Sequence, residues 1–411
     1  MRLNNCMNDA NFYARILGIR KPWRVVDVTV SDALKTITVF IGPKPGSSLR
    51  CPQCRQICPG YDSRPRRWRH LDTCEYQTWI EAEVPRVQCP EHGCVQASVT
   101  WATSYSRYTK KFEMMVLDWL RETSIQAVSR RLGLSWNAID GILRRAVARG
   151  LRRRRVASDD HICVDEVAFA KGRDYVTIVS SAQRVLAVED GRAAESLRRY
   201  FKALGRRRCE QLQSVSMDMS GAYIKAALDT LPNALEKVAF DHFHVAKALS
   251  EAVDNTRKYE LHRVDYGLRR EIHRSRYDWL RRGTHLSDSG RERMQALSAS
   301  LLDTAMVWML KEKAREIWHT SYHLEQSAKS WQVWIQAARQ TGITALRGVA
   351  NQIDTRLWGI LNAMRLRVSN ARAEALNSQI RAMRVKARGY RNKVRFVRGI
   401  LFHYGKLDMA H

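Results

Sequence analysis

The chain has 411 residues, 45% of them hydrophobic and 9% aromatic, which is enough for a substantial core and excludes a mainly disordered chain. No run approaches the roughly 18 uninterrupted apolar residues of a membrane span, and Arg2, Asn4, Asn5, Asp9 and Arg15 interrupt the first 20 residues, so no signal peptide is expected there and the chain reads as soluble and intracellular. Lys and Arg total 70 against 41 Asp and Glu, a net charge of +29 that does nothing for a compact fold and points to a polyanionic partner, DNA or RNA.

In chain order, Asn11–Leu17 has a helical pattern. Trp23–Val30 and Lys35–Ile41 alternate as a β-ribbon, and Gly42-Pro-Lys-Pro-Gly46 breaks it. Nine cysteines follow no even framework, and six of them lie between 51 and 94, which suits a metal site better than disulfides. Cys51-Pro-Gln-Cys54 and Cys89-Pro-Glu-His92-Gly-Cys94 form two close ligand pairs for tetrahedral structural Zn²⁺. The favoured set is Cys51, Cys54, Cys89 and His92, with Cys94 as the alternative fourth ligand. Cys58 and Cys74 are read as bystanders. Between the pairs, Arg64-Pro-Arg-Arg67-Trp-Arg69-His70 offers Arg67 and Arg69 to phosphates.

Ser124–Arg131, the turn Leu132-Gly133-Leu134 and Ser135–Arg145 have the pattern of a helix-turn-helix. Gly133 permits the tight turn and Ser135 is a ready N-cap. The second helix then presents Trp136, Asn137, Asp140 and Arg144 to the major groove. Arg152–Arg155 reads as a linker or a phosphate-contacting arm.

Past residue 160 the pattern becomes α/β, with strands at His161–Asp165, Tyr175–Ser180, Val185–Val188, Ser214–Met217 and Val238–Phe240, and a helix at Tyr223–Leu231. No proline occurs from Asn233 onward, and residues 251–360, with six tryptophans, read as a helical insertion whose tryptophans form its core.

Three carboxylates close β-type runs: Asp165, Asp218 and Asp241. A fourth, Glu374, is the sole acid among eleven Lys and Arg from Arg365 to Arg398, where ordinary surfaces mix both signs. Arg384, Lys386 and Arg388 belong to this DNA-facing run. Asn377 and Arg381 lie three and seven residues beyond Glu374, on one helix face. Such oxygen donors suit two Mg²⁺ or Mn²⁺ ions and phosphodiester chemistry.

With these residues assembled, the chain resembles bacterial insertion-sequence transposases of the ISL-three family along nearly its whole length. The resemblance is carried by Cys51-Pro-Gln-Cys54, Trp68-Arg-His-Leu-Asp72, Pro85–Gly93, Trp101-Ala102 and the helix-turn-helix. It continues through Val164-Asp165-Glu166, Met217-Asp-Met-Ser220, Phe240-Asp-His-Phe-His244, Ser369-Asn370, Glu374, Asn377 and Gly389-Tyr-Arg-Asn392. Ser180-Ser181 and Arg372-Ala373 depart from the family pattern without touching the expected ligands.

The resemblance implies a multidomain fold: a zinc-binding β-ribbon module (1–100), a helix-turn-helix domain (101–155) and an α/β ribonuclease-H-like catalytic domain (156–250 and 361–411) with a helical insertion (251–360). It implies a catalytic triad of Asp165, Asp218 and Glu374, with Asp241 and His244 flanking and Glu166 on the opposite strand face. The implied function is binding of terminal inverted repeats, then metal-dependent DNA cleavage and strand transfer by a homodimer or larger assembly at the bacterial nucleoid. The alternative is a non-enzymatic zinc and helix-turn-helix regulator.

Overall fold

The computed structural model describes residues 9–154, 159–170, 172, 174–320 and 323–411. Arg155, Lys171 and the N-terminal residues weighed above (Arg2, Asn4 and Asn5) lie outside them. Two compact units result: Met1–Arg153 with Asp408–His411, and Arg154–Leu407.

The first unit opens with helix α1 (Asp9–Leu17), then strands β1 (Trp23–Ser31), β2 (Thr36–Pro43), β3 (Gly60–Arg69), β4 (Gln77–Cys89) and β5 (Gly93–Gln96). The sheet order is β1-β2-β4-β3, with β5 on β4. The β1/β2 ribbon is antiparallel and β2 runs parallel to β4. Alternation along β2 buries Ile37, Val39 and Ile41. Trp23 and Trp68 meet Trp101 edge-on at 5.1 and 5.5 Å, a favoured aromatic geometry at the centre of this core.

Three helices follow: α2 (Lys110–Glu122), α3 (Ile125–Leu132) and α4 (Trp136–Arg153). Thr109 and Ser124 cap the first two through side-chain oxygens. Gly133 (φ 63°) ends α3 in the left-handed region that a Cβ disfavours, and Ser135 Oγ accepts the Ala138 N–H at 3.2 Å to start α4. Glu113 is buried on α2, with Arg145 of α4 at 2.5 Å and the terminal His411 at 3.1 Å.

The second unit contains β6 (His161–Ala168), β7 (Tyr175–Ser181), β8 (Val185–Asp190), α5 (Ala194–Leu204), α6 (Arg206–Gln211), β9 (Ser214–Met217), α7 (Gly221–Thr230), α8 (Ala234–Lys237) and β10 (Val238–Phe240). The strand order is β10-β9-β6-β7-β8. β6, β7 and β8 are antiparallel, whereas β9 and β10 run parallel to β6. The chain therefore reverses its direction of travel across the sheet between β6 and β9, the kind of switch point beside which α/β sheets place ligands.

Helices complete the unit: α9 (His242–Leu261), α10 (Tyr266–Arg274), α11 (Arg276–Leu280), α12 (Asp288–Ser298), α13 (Leu302–Thr320), α14 (Leu324–Gln340), α15 (Thr344–Leu366), α16 (Ala371–Lys386) and α17 (Lys393–Tyr404). The first seven run from His242 to Leu366. Trp279, Trp331 and Trp334 are buried in their core. Lys311 is buried with Nζ on the carbonyls of Trp279, Leu280 and Arg281, which satisfies the end of α11. α15 clamps the sheet edge: Asn362 Nδ2 donates to the Leu235 and Val238 carbonyls at 2.7 and 2.8 Å. α16 and α17 cover one face of the sheet with Ile380, Met383, Phe396 and Ile400 against Val167, Val176 and Ile178. No helix among the described residues is long and apolar enough to cross a membrane.

Candidate metal, DNA-binding and acidic sites

The turn after Leu49 carries Cys51 and Cys54, β4 ends at Cys89, and the β4–β5 turn carries His92. Cys54 Sγ lies 3.6 Å from Cys89 Sγ, and His92 Nδ1 lies 3.7 Å from Cys51 Sγ and 3.5 Å from Cys89 Sγ. Tetrahedral zinc separates sulfurs by about 3.8 Å and sulfur from nitrogen by about 3.5 Å, so the donors sit at the edge lengths the ion imposes. This is the one His, Cys, Asp or Glu cluster among the described residues whose ligand atoms all lie within 4.8 Å of one another. Cys94 is exposed on β5, outside the cluster. Cys58 is buried against it, so it packs beside the site.

One expected phosphate contact is corrected. Arg64–His70 lies largely in β3, and Arg69 is only 3% exposed. Its guanidinium donates to the His70 carbonyl at 2.7 Å and pairs with Asp72, so it is consumed inside the module. Trp68 beside it belongs to the core. Arg67 is half-exposed, stacked on Trp79 at 4.1 Å and paired with Glu81 at 3.1 Å. On α4, Asn137 and Arg144 are exposed while Trp136 and Asp140 are half-buried. Ile139, Ile142 and Leu143 form its buried side, as the periodicity requires.

The acidic residues lie on three adjacent strands of the second unit's sheet, level with the C-terminal ends of β9 and β10. Register sets their level: Cys163 pairs with Ser216 and Phe240 with Met217. Two residues further along β6, and one further along β9 and β10, bring Asp165, Asp218 and Asp241 into one row across three adjacent strands about 4.8 Å apart. Asp165 lies within β6 rather than at its end, because antiparallel pairing with β7 continues to Ala168. Asp218 Oδ1 accepts the Ser220 N–H at 2.9 Å as the chain turns into α7.

Glu374 enters from the first turn of α16, and that helix is fastened at two points. Asp241 Oδ1 accepts the Asn370 N–H at 3.0 Å at its start. Asn377 Nδ2 donates to Asp165 Oδ2 at 2.6 Å one turn later. Burial raises the Asp165 carboxyl to about 6, against the Glu166 N–H and His244 and with help from Asp218. Burial also raises Glu374, with Asp241 adding and His244 opposing. Asp165 thus feels Asp218, Glu374 feels Asp241, and both feel His244. Asp241 Oδ2, Asn370 Oδ1 and Asn377 Oδ1 are buried with no hydrogen-bond partner among the described residues. Orphaned hard oxygens beside half-buried carboxylates are a donor set that suits a divalent cation.

Burial raises the Glu166 carboxyl as it does its neighbour Asp165. Glu166 pairs with Arg192 at 3.4 Å, yet Asp218 and His244 act on its carboxyl as they do on Asp165. The adjacent acidic pair Asp165-Glu166 was the available signal. Arg381, Lys386 and Arg388 are exposed along and just beyond α16, while Arg384 is half-buried and donates to the Ala168 carbonyl at 3.1 Å.

Comparison with known proteins agrees across the chain. A family profile described as "Transposase", of the ISL3 group, matches residues 162–400. The "helix-turn-helix domain of transposase family ISL3" matches 97–147, and the "zinc-finger of transposase IS204/IS1001/IS1096/IS1165" matches 47–94. The transposase for insertion sequence element IS1001 of Bordetella parapertussis is 27% identical over 373 residues, covering 89% of this chain and 91% of that protein. The transposase for IS1557 of Mycobacterium tuberculosis is 27% identical over 424 residues, covering 94% and 93%. The regulator reading gains nothing from these matches.

Proposed function

The chain belongs to the ISL3 family of transposases, and we propose that it cuts DNA at the ends of its own insertion sequence and joins the freed strand to a target, using Asp165, Asp218 and Glu374. The observation that carries this is the register of β6 and β9, which sets Asp165 level with Asp218 beside the switch point, with Glu374's helix tied to Asp165 through Asn377. Three antiparallel strands followed by two parallel ones support a ribonuclease-H-like sheet.

Asp165, Asp218 and Glu374 would hold two Mg²⁺ or Mn²⁺ ions, with Glu166 and Asp241 flanking. Such ions, when bound, supply activation of a water or 3′-hydroxyl and stabilise the leaving oxygen. The protein's own part is positioning. Asn377 orients the Asp165 carboxylate, and Asp241 sets the first turn of α16. Arg381, Lys386 and Arg388 hold the phosphate backbone, while Asn137 and Arg144 read the terminal repeats. Zinc at Cys51, Cys54, Cys89 and His92 is structural. The division into 1–100, 101–155, 156–250, 251–360 and 361–411 assigns these tasks. Synapsis of two element ends calls for at least a dimer on DNA, at the nucleoid.

A strand-cleavage assay on DNA carrying the element's ends tests the triad. Asp165→Ala, Asp218→Ala and Glu374→Ala each abolish cutting and leave end binding in place. Cutting retained by any one removes that residue from the triad.

A further inference from the structure

A cavity of about 610 Å³ opens in the second unit where the ends of α9, α13, α14 and α15 meet. Its walls include His242, Trp318, His319, Arg365 and Arg367, and among the described residues no Asp or Glu lines it. The volume lies inside the roughly 300–1,000 Å³ of small-ligand sites. One side is aromatic: the Trp318 ring sits 4.7 Å from His242, which sits 5.5 Å from His319. The other side is cationic. Arg367 is exposed; its backbone N–H caps α15 on the Ala363 carbonyl, and its guanidinium pairs with no described residue.

The cavity also borders the acidic row. Ser369 lines it, and the next residue, Asn370, donates its N–H to Asp241. Cys163, two residues before Asp165, contacts the Ser369 carbonyl at 3.9 Å. The Trp318 indole, beside guanidinium groups that pair with no carboxylate among the described residues (Arg365 donates to the Glu236 carbonyl at 2.7 Å), matches a nucleobase attached to its phosphate. Base-paired DNA has no room to enter a space of this size, whereas an unpaired nucleotide does.

We infer that this cavity receives one unpaired nucleotide next to the phosphodiester at the acidic site, its base on Trp318 and its phosphate toward Arg365 and Arg367. The inference rests on the acidic row being the cutting site. It adds a task for the helical region: holding an extruded base, which opens the duplex where the strand is cut.

The test uses the full-length protein without divalent metal and a forked DNA, a duplex ending in unpaired thymidines with one 2-aminopurine at the junction. Stacking on Trp318 quenches the 2-aminopurine, Trp318→Phe keeps most of the quenching, and Trp318→Ala abolishes it. Arg367→Ala, an exposed change that leaves packing alone, weakens fork binding about tenfold while leaving plain-duplex binding unchanged. A 4-thiothymidine at the same position crosslinks within 318–319 or at His242. Unaltered quenching in Trp318→Ala, equal loss of fork and duplex binding in Arg367→Ala, or crosslinks confined to other elements would each overturn the proposal. Asp165→Ala separates the two readings: it keeps the quenching in either case, so cutting that survives it counts against the triad alone.

Discussion

Single side chains in this protein carry more than one duty, and His70 shows the physical cost. It is buried, and burial lowers its pKa to about 4, with Lys111 and Arg69 adding repulsion. Its Nδ1 shares a 2.8 Å hydrogen bond with Thr109 Oγ1, which also accepts the Phe112 N–H at 3.2 Å. In the unfolded chain His70 takes its proton near pH 6.5, so between pH 6.5 and 4 the unfolded state binds more protons. Stability is therefore full above pH 6.5 and falls on acidification, by up to about 3 kcal/mol at pH 4. Thermal melts across this range should show the fall, and His70→Gln should flatten it. An unchanged slope in that variant would assign the acid sensitivity to other groups. The same scale explains Arg69: a basic residue in an arginine-rich run looks available to phosphate, but Phe112 and Trp79 pack over its guanidinium, at 5.5 and 5.7 Å, and Asp72 pairs with it.

At the scale of elements, the zinc module is a set of strands whose ends need a staple. β3, β4 and β5 share few large apolar groups near the knuckles, where the local cluster is mostly Cys51, Cys58, Val87 and Cys89. Metal binding there is folding free energy. Purified protein should hold one zinc, and a chelator should release it and unfold the module, read by loss of duplex binding together with proteolysis within 47–94. Cys54→Ser should lose the metal and Cys94→Ser should keep it. Zinc lost from Cys94→Ser would move the fourth ligand from His92 to Cys94. The helix-turn-helix depends less on any ligand, since Ser124, Gly133 and Ser135 end and start its helices by local chemistry.

For the whole molecule, the +29 charge governs how DNA is met before any base is read. Each phosphate neutralised releases counterions, so the logarithm of affinity falls linearly with the logarithm of salt, at about 0.9 per contact. Replacing both Lys386 and Arg388 by Ala should lower that slope by about two in an anisotropy titration on duplex DNA. An unaltered slope would remove these two residues from the DNA surface.

Much was legible without a structure because it is local. The CxxC spacing, the Ser-Gly-Ser punctuation of the helix-turn-helix, the strand runs from His161 to Phe240 and the isolation of Glu374 among cations are all short-range patterns. Backbone propensity, capping and charge act over a few residues, so the chain itself determined them. Long-range pairing decided the rest. Only the β6/β9 register sets Asp165 beside Asp218, only α16's two hydrogen bonds bring Glu374 to that row, and only the meeting of four helix ends creates the cavity at Trp318. Such contacts join residues tens to hundreds of positions apart, and burial, which no window of sequence reports, chooses which arginine faces DNA and which one is enclosed.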